Sequence, residues 1–278
     1  MNGRMSPFMA VVLALLAAFV LAAAAAPLLA PFDPLRQSLL LRLRPPGAEI
    51  AGRVLLLGSD DLGRDLLSRI IYGARASLLV AALSVSVSLL VGTTLGMLAG
   101  WFRGWTGIII MRLVDAMLSI PAILLAVLTV AVLGPSFVNL ILVLGLTRWP
   151  RYTRVAYAQT LQVGTLPFIR AAEMAGCGTG RLLLRHILPN IAGPLMVVAT
   201  AEFGLMILFE AGLSFLGLGI QPPIPSWGSI MSAGRQYVAR AWWLTVFPGA
   251  CLFVLVLCVN LFGDWLRDRI DPRARGRT

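Results

Sequence analysis

The chain is poor in residues that make and break bonds. His186 is its only histidine, and all 23 basic residues are arginine, so there is no lysine. A P-loop, a Schiff-base amine and a Ser–Lys dyad each need a lysine, so this sequence can build none of them. Gly217 and Gly219 are followed by proline at 222, so a dinucleotide-binding turn is not completed. Gly212-x-Ser214 meets Leu216 where a nucleophile elbow carries glycine. Cys177, Cys251 and Cys258 lack a C-x-x-C spacing, and the last two read as buried thiols on an apolar run. Asp60, Asp61 and Asp65 lack the ligand spacing of a calcium loop. They read better as the start of a helix near Asp61, capped by Ser59 or Asp60, with ion pairs to Arg64 or Arg69.

Three groups remain. Glu202 and Glu210 lie on nearly one face of an apolar run, where acids are costly and functional by default. They are candidates for the lining of a pathway or a subunit contact, and a satisfied structural role is the other reading. Arg112 and Asp115, at i and i+3, are spaced to pair on one helix face near the start of a span. The third group is an insert. Arg148, Arg151, Arg154, Arg170, Arg181 and Arg185 gather in a polar segment between apolar runs. A chain otherwise built for hydrocarbon does not need such an insert for its own stability, so a partner outside the bilayer should read it.

The elements that place these groups are apolar. Of 278 residues 59% are hydrophobic and 13% charged, far from the balance of a soluble domain. The apolar residues fall in runs of about 20, the length that spans a bilayer as a helix. The net charge of +11 sits in loops flanking these runs, so it reads as topology and attraction to anionic lipid headgroups, not as a nucleic-acid surface. Six spans emerge: residues 8–30, 77–100, 108–133, 136–147, 191–212 and 242–262. The first is longer than the apolar core of a cleaved signal peptide, so it reads as a retained helix. Gly92, Gly96 and Gly100 put three glycines on one face of the second, which admits another helix at close range; a glycine-lined pore is the alternative. Pro121 predicts a kink in the third. The fourth is too short unless its helix runs on past Trp149-Pro150. Residues 31–75 are broken by prolines, and Leu213–Gly228 holds too much Gly and Pro for a helix interior, which suggests a partly embedded loop.

Six spans place both termini on one side. Putting Arg4, Trp101–Trp105, the 148–185 arginines and the tail in the cytoplasm collects most of the arginines there. The arginine-rich insert then faces the cytoplasm.

An ordered series of motifs carries a family resemblance. It runs Leu57-Gly-Ser-Asp-Asp-Leu-Gly-Arg-Asp65, Ser68-Arg-Ile-Ile-Tyr-Gly-Ala-Arg-Ala-Ser-Leu79, Met111-Arg-Leu-Val-Asp115, Trp149-Pro-Arg-Tyr152 and Ala171-Ala172 through Gly176. It continues with Arg185-His-Ile-Leu-Pro-Asn190, Glu210-Ala-Gly-Leu-Ser-Phe-Leu-Gly-Leu-Gly219, Gln221-Pro-Pro, Pro225-Ser-Trp-Gly228, Asn260-Leu-Phe-Gly-Asp264, Leu266-Arg-Asp268 and Asp271-Pro-Arg273. Over nearly its whole length the chain resembles the inner-membrane permease subunits of binding-protein-dependent ABC importers, specifically the second permease of the dipeptide, oligopeptide and nickel group.

The resemblance implies an all-α, polytopic membrane protein of about six transmembrane helices with the type I ABC importer permease fold. Residues 1–75 would be an N-terminal transmembrane helix and extracytoplasmic segment, 76–270 the permease domain with a cytoplasmic coupling loop at about 148–190, and 271–278 a basic cytoplasmic tail. A short coupling helix in that loop would dock in a groove of an ATPase subunit. Ala171, Ala172 and Gly176 fall on its motif, as do Leu188 and Pro189 at its end, while Arg170 stands where the family usually has glutamate. The small residues would leave room for the partner, and flanking arginines can meet acids across the contact. The implied partners are a second permease, two ATP-binding subunits that use ATP and Mg2+, an extracytoplasmic substrate-binding protein and membrane lipid, with no nucleic acid. The implied setting is a bacterial inner membrane. The chain itself would hold no cofactor or metal and would not be an enzyme. Its cargo would be peptides, with nickel or another small solute as the alternative. Rivals of other classes fit less well. An intramembrane hydrolase needs a Ser–His or paired-carboxylate site at membrane depth. A secondary transporter is typically built from internal repeats, which this sequence does not show.

Overall fold

Hydrocarbon offers no water to a free N–H or C=O, so long apolar runs close their own hydrogen bonds as helices. The computed structural model describes residues 6–50 and 52–270, so the expected basic tail at 271–278 lies outside the described residues. In chain order the helices are α1 (Pro7–Ala24), α2 (Ala26–Leu29), α3 (Leu66–Phe102), α4 (Gly104–Leu118), α5 (Ala122–Leu133) and α6 (Phe137–Val163). They continue with α7 (Pro167–Met174), α8 (Thr179–Arg181), α9 (Leu188–Phe215), α10 (Trp227–Gly234) and α11 (Trp243–Ile270). A π-helical turn, Leu182–Ile187, joins α8 to α9. An antiparallel hairpin, β1 (Ala48–Ile50) with β2 (Arg53–Leu55), lies in the proline-broken stretch.

Four helical stretches are long and apolar enough to cross a membrane: α1, α3, the run Thr179–Phe215 and α11. The third expected span is not one kinked helix. α4 and α5 meet at 87°. Pro121 has no N–H to continue α4. The Ser119 hydroxyl closes that helix by donating to the Ala116 carbonyl at 2.7 Å, and the Pro121 carbonyl starts α5 by accepting from Leu124 and Leu125. The fourth expected span does run on past Pro150, as the 27-residue α6. The second begins earlier than the apolar pattern suggests, because α3 has 37 residues and starts at Leu66. Its cap is Asp65, whose Oδ2 accepts from the Ser68 N–H at 2.8 Å and the Ser68 hydroxyl at 2.6 Å. No helix begins near Asp61. Asp60 instead folds a turn, its Oδ1 accepting from the N–H groups of Leu62 and Arg64, each at 2.9 Å.

The chain divides into two compact units. The first comprises the described residues through Ala82 with Val127–Ile141 and Phe203–Phe262, and the second Leu83–Ala126, Leu142–Glu202 and the described residues from Gly263. In the first unit Asp60, 3% exposed, is the hub of the irregular stretch. Its Oδ2 takes Arg64 Nε at 2.7 Å and Arg69 Nη1 at 3.2 Å, the ion pairs expected from the sequence. Two tryptophans tie this stretch and the start of α3 to other helices. Trp243 donates from Nε1 to the Ser59 carbonyl at 3.1 Å, and Trp227 to the Ile70 carbonyl at 3.0 Å. α1 joins the same unit through Phe19, edge-on to Trp227 with ring centroids 5.9 Å apart.

In the second unit the glycine stripe of α3 meets α6, as its spacing predicts. A Cβ at Gly92 would lie 2.5 Å from the Trp149 carbonyl oxygen and 2.6 Å from Tyr152 Cβ. At Gly96 it would lie 2.5 Å from Ala156 Cβ, and at Gly100 2.8 Å from Thr160 Cβ. The partners advance together along both chains, so α3 and α6 run parallel here. Lipid tails are as apolar as leucine, and this close approach supplies the dispersion contact that holds helices together in hydrocarbon. Ser88 adds a hydrogen bond, its hydroxyl donating to the Gly145 carbonyl at 2.6 Å. The Arg112–Asp115 pairing expected from spacing is replaced by a link between helices, in which Arg154 Nη2 reaches Asp115 Oδ1 at 2.7 Å.

Gly96→Val should therefore lower stability by about 1–3 kcal/mol through overpacking, read as a reduced midpoint of thermal unfolding in detergent. Gly180→Ala, where a methyl group meets nothing within 4 Å, should change it by less than about 1 kcal/mol. Equal midpoints would show that the stripe does not hold α3 to α6.

Candidate functional site

The arginine-rich insert folds as a hairpin within the second unit. α6 descends to α7, and α8, the π-turn and α9 return. α7 starts with Pro167 at its first position, where a missing N–H is harmless. It is rooted by Ile169, which is fully buried. It ends in a Schellman motif. The Cys177 N–H donates to the Ala172 carbonyl at 3.1 Å and the Gly176 N–H to the Glu173 carbonyl at 2.9 Å, with Gly176 at φ 79°. The space around Gly176 is open, so within the chain its glycine is required by backbone conformation and not by close packing.

The remaining motif residues are displayed. Arg170 and Ala171 are exposed, Ala172 is half-buried, and Arg170 has no acidic partner among the described residues. Beside them stand Phe168, 45% exposed, and Met174, 84% exposed. These two apolar side chains were not singled out from the sequence. The available signal was their position as isolated large hydrophobics in a polar insert.

On the return strand of the hairpin, Leu182, Leu183 and Ile187 are buried and Arg181 and Arg185 exposed. The helix widens to a π-turn just before Pro189. A proline ring inside a helix clashes with the carbonyl four residues back, here that of Arg185, and a wider turn relieves the clash. The Asn190 side chain donates to the His186 carbonyl at 2.6 Å. Leu188 is half-buried and Pro189 exposed. Leu188 also lines a cavity of about 500 Å3 with Leu89, Thr93 and Met97 of α3 and Leu195 and Met196 of α9.

Both acids singled out on α9 are buried. Glu202, 1% exposed, takes Arg148 in a bidentate grip, Nε to Oε2 at 2.7 Å and Nη2 to Oε1 at 2.9 Å, with Arg151 Nη1 on Oε1 at 3.2 Å. Glu210, fully buried in the first unit, meets no arginine among the described residues. It accepts from the Ser77 hydroxyl of α3 and the Ser214 hydroxyl, each at 2.7 Å. Ser214 in turn accepts from the Ile220 N–H at 3.2 Å, so Glu210 fixes the end of α9, the following loop and α3 together. The expected spacing on one face did not bring the two acids into one site. Among the described residues there is no cluster of three or more His, Cys, Asp or Glu placed to hold a metal.

One family matches most of the chain. Residues 92–276 match the model described as "Binding-protein-dependent transport system inner membrane component". The chain is 45% identical over 251 residues to the di/tripeptide transport system permease protein DppC of Pseudomonas aeruginosa, covering 90% of this chain and 83% of that one. It is 41% identical over 263 residues to the dipeptide transport system permease protein DppC of Alkalihalophilus pseudofirmus, covering 95% and 85%. Among solved structures it shares the fold of a chain from inward-facing crystals of the MetNI methionine ABC transporter, with a TM-score of 0.59 at 18% identity, over 74% of this chain and 98% of that one.

Glu210→Gln should be tolerated within about 1 kcal/mol, since an amide can still bond both serines. Glu210→Leu should cost on the order of 2–3 kcal/mol by leaving two buried hydroxyls without an acceptor. Unfolding midpoints in detergent read the difference, and equal midpoints for the two variants would remove Glu210 from the packing account.

Proposed function

Since this chain belongs to the family of inner-membrane components of binding-protein-dependent transport systems and is an ABC importer permease, we propose that it forms half of the path by which peptides enter a bacterial cell. A second permease forms the other half. Two ATP-binding subunits bind and hydrolyse ATP with Mg2+, and an extracytoplasmic receptor delivers the cargo. This chain is not itself an ATPase, a reading supported by the absence of any lysine for a nucleotide loop. The peptide cargo rests on the names of the relatives.

One observation carries the mechanism. α7 is a short helix rooted by a buried Ile169, closed at Gly176, and presenting Phe168, Arg170, Ala171 and Met174 outward. A helix that exposes apolar groups from a polar insert is shaped to fill a partner's groove. When ATP closes the ATP-binding subunits, the groove carries α7 with it, and α6 and α9 pass the displacement to the spans. The hairpin and both termini lie on the cytoplasmic side, following the arginine bias. Residues 31–75 and 213–241 face the receptor. The permease domain covers 76–270. Glu202 and Glu210 serve the pathway by holding the helices around it.

Met174→Glu should leave the isolated permease folded, because the side chain is already 84% exposed. It should weaken co-purification of the ATPase and cut peptide import at least tenfold. Undiminished import would reject α7 as the coupling element. In a background lacking Cys251 and Cys258, Cys177 in intact spheroplasts should react with a membrane-permeant maleimide and resist an impermeant one. Reaction from outside would reverse the orientation. Ligand binding measured on the cognate receptor identifies the cargo, and binding of a nickel chelate but no peptide would reject the peptide reading.

A further inference from the structure

The hairpin that carries α7 is closed at its base. Arg148 and Glu202 are 54 positions apart in sequence. From Arg148 α6 runs on to Val163, about 22 Å at 1.5 Å per residue, and the returning helical run from Thr179 reaches Glu202 over about 34 Å. Two helical arms thus join the coupling helix to one buried ion pair.

The pair is built to resist sliding. Two parallel hydrogen bonds, at 2.7 and 2.9 Å, fix both the separation and the rotation of α6 against α9. Arg148 is 7% exposed and Glu202 1%, so water is not at hand to replace either partner if the pair opens. The third contact, from Arg151, comes from a side chain 53% exposed and is screened. The same level of α6 is seated on α3. Gly92 faces Trp149, Tyr152 and Thr153, the residues that follow Arg148 by one to five positions. The base of the hairpin is therefore tied twice, by charge to α9 and by close packing to α3.

Stability alone does not call for this arrangement. A buried ion pair costs so much desolvation that an apolar pair of similar volume often does as well or better. A bidentate pair supplies what an apolar contact lacks, a fixed register between two helices. We propose that Arg148 and Glu202 are positioning residues that clasp α6 to α9, so that α7 and its two arms move as one lever. The inference rests on α7 being the coupling element. With the clasp intact, a push on α7 turns both arms about their base. Without it, α6 and α9 slip past each other and ATP hydrolysis is spent without transport.

The test uses the complete transporter in proteoliposomes, loaded with ATP and supplied with its receptor and a dipeptide that the receptor binds. Three quantities are read for each variant: ATPase retained on purification, ATP hydrolysed, and peptide imported. The double variant Arg148→Met with Glu202→Leu should fold and keep its ATPase, yet import per ATP should fall at least tenfold. The exchanged pair Arg148→Glu with Glu202→Arg should bring the ratio back to within about threefold of the parent. If the apolar pair does not accumulate as folded protein, Glu202→Gln, which loses the charge and keeps one carbonyl acceptor, carries the same measurement and the same expected loss. A parental ratio in the apolar pair, or in Glu202→Gln where it stands in, overturns the clasp. So does a folded exchanged pair that stays uncoupled. Failure of the coupling reading is distinguishable, since Met174→Glu would then retain both ATPase and import whatever the clasp variants do.

Discussion

Away from water a charge keeps its place only if its own chain answers it. An isolated carboxylate or guanidinium moved into a low-dielectric interior costs several kcal/mol even after relaxation. Three buried acids therefore act as fixed points. Asp60 gathers Arg64 and Arg69, Glu202 is gripped by Arg148, and Glu210 is bonded by serine hydroxyls alone. Glu202 and Glu210 also join segments distant in sequence, through partners 54 and 133 positions away. The polar residues that look most out of place in an apolar chain are thus the ones that set how its helices relate.

Charge is not the only tie between helices. In the second unit the glycines of α3 add another, letting α6 rest on helix backbone at Gly92, Gly96 and Gly100. α6 is consequently tied on several sides. One face meets the glycine stripe, and other positions meet Glu202 through Arg148 and Asp115 through Arg154. Its arginines, which from composition alone mark only a cytoplasmic boundary, divide by environment. Arg148 is interior and Arg154 is 54% exposed, paired with an equally exposed Asp115, where screening leaves the bond weak.

The features legible in the sequence were those set by local period or by composition: the apolar spans, the glycine stripe that needs a neighbour, the ion pairs of Asp60, and the irregular segment after α9. The motif series pointed to the family. What the sequence hid depended on partners far along the chain. Arg112 is three residues from Asp115, but Arg154, 39 positions away, takes it. Ser59 and Asp60 look like caps of a helix near Asp61, but the Asp60 side chain closes a turn and Asp65 caps α3. The break at Pro121 exceeds a kink because Ser119 ends one helix and the Pro121 carbonyl begins another. No apolar period reports either bond.

α7 separates two kinds of constraint. Ile169 and Gly176 are set by the chain itself, one as a buried root and the other as a left-handed helix terminus. Replacing either disturbs α7 before any partner is considered. Among the described residues Arg170 and Met174 have no side-chain ion pair or hydrogen bond, and both are exposed. Their identity is free to follow the surface they meet. An arginine where the family resemblance leads one to expect glutamate would reverse a charge on the proposed docking face without altering the geometry of the helix. Acids on the facing groove would be its natural complement. A substitution that would be disruptive at Gly176 is, at Arg170, a change of counterpart.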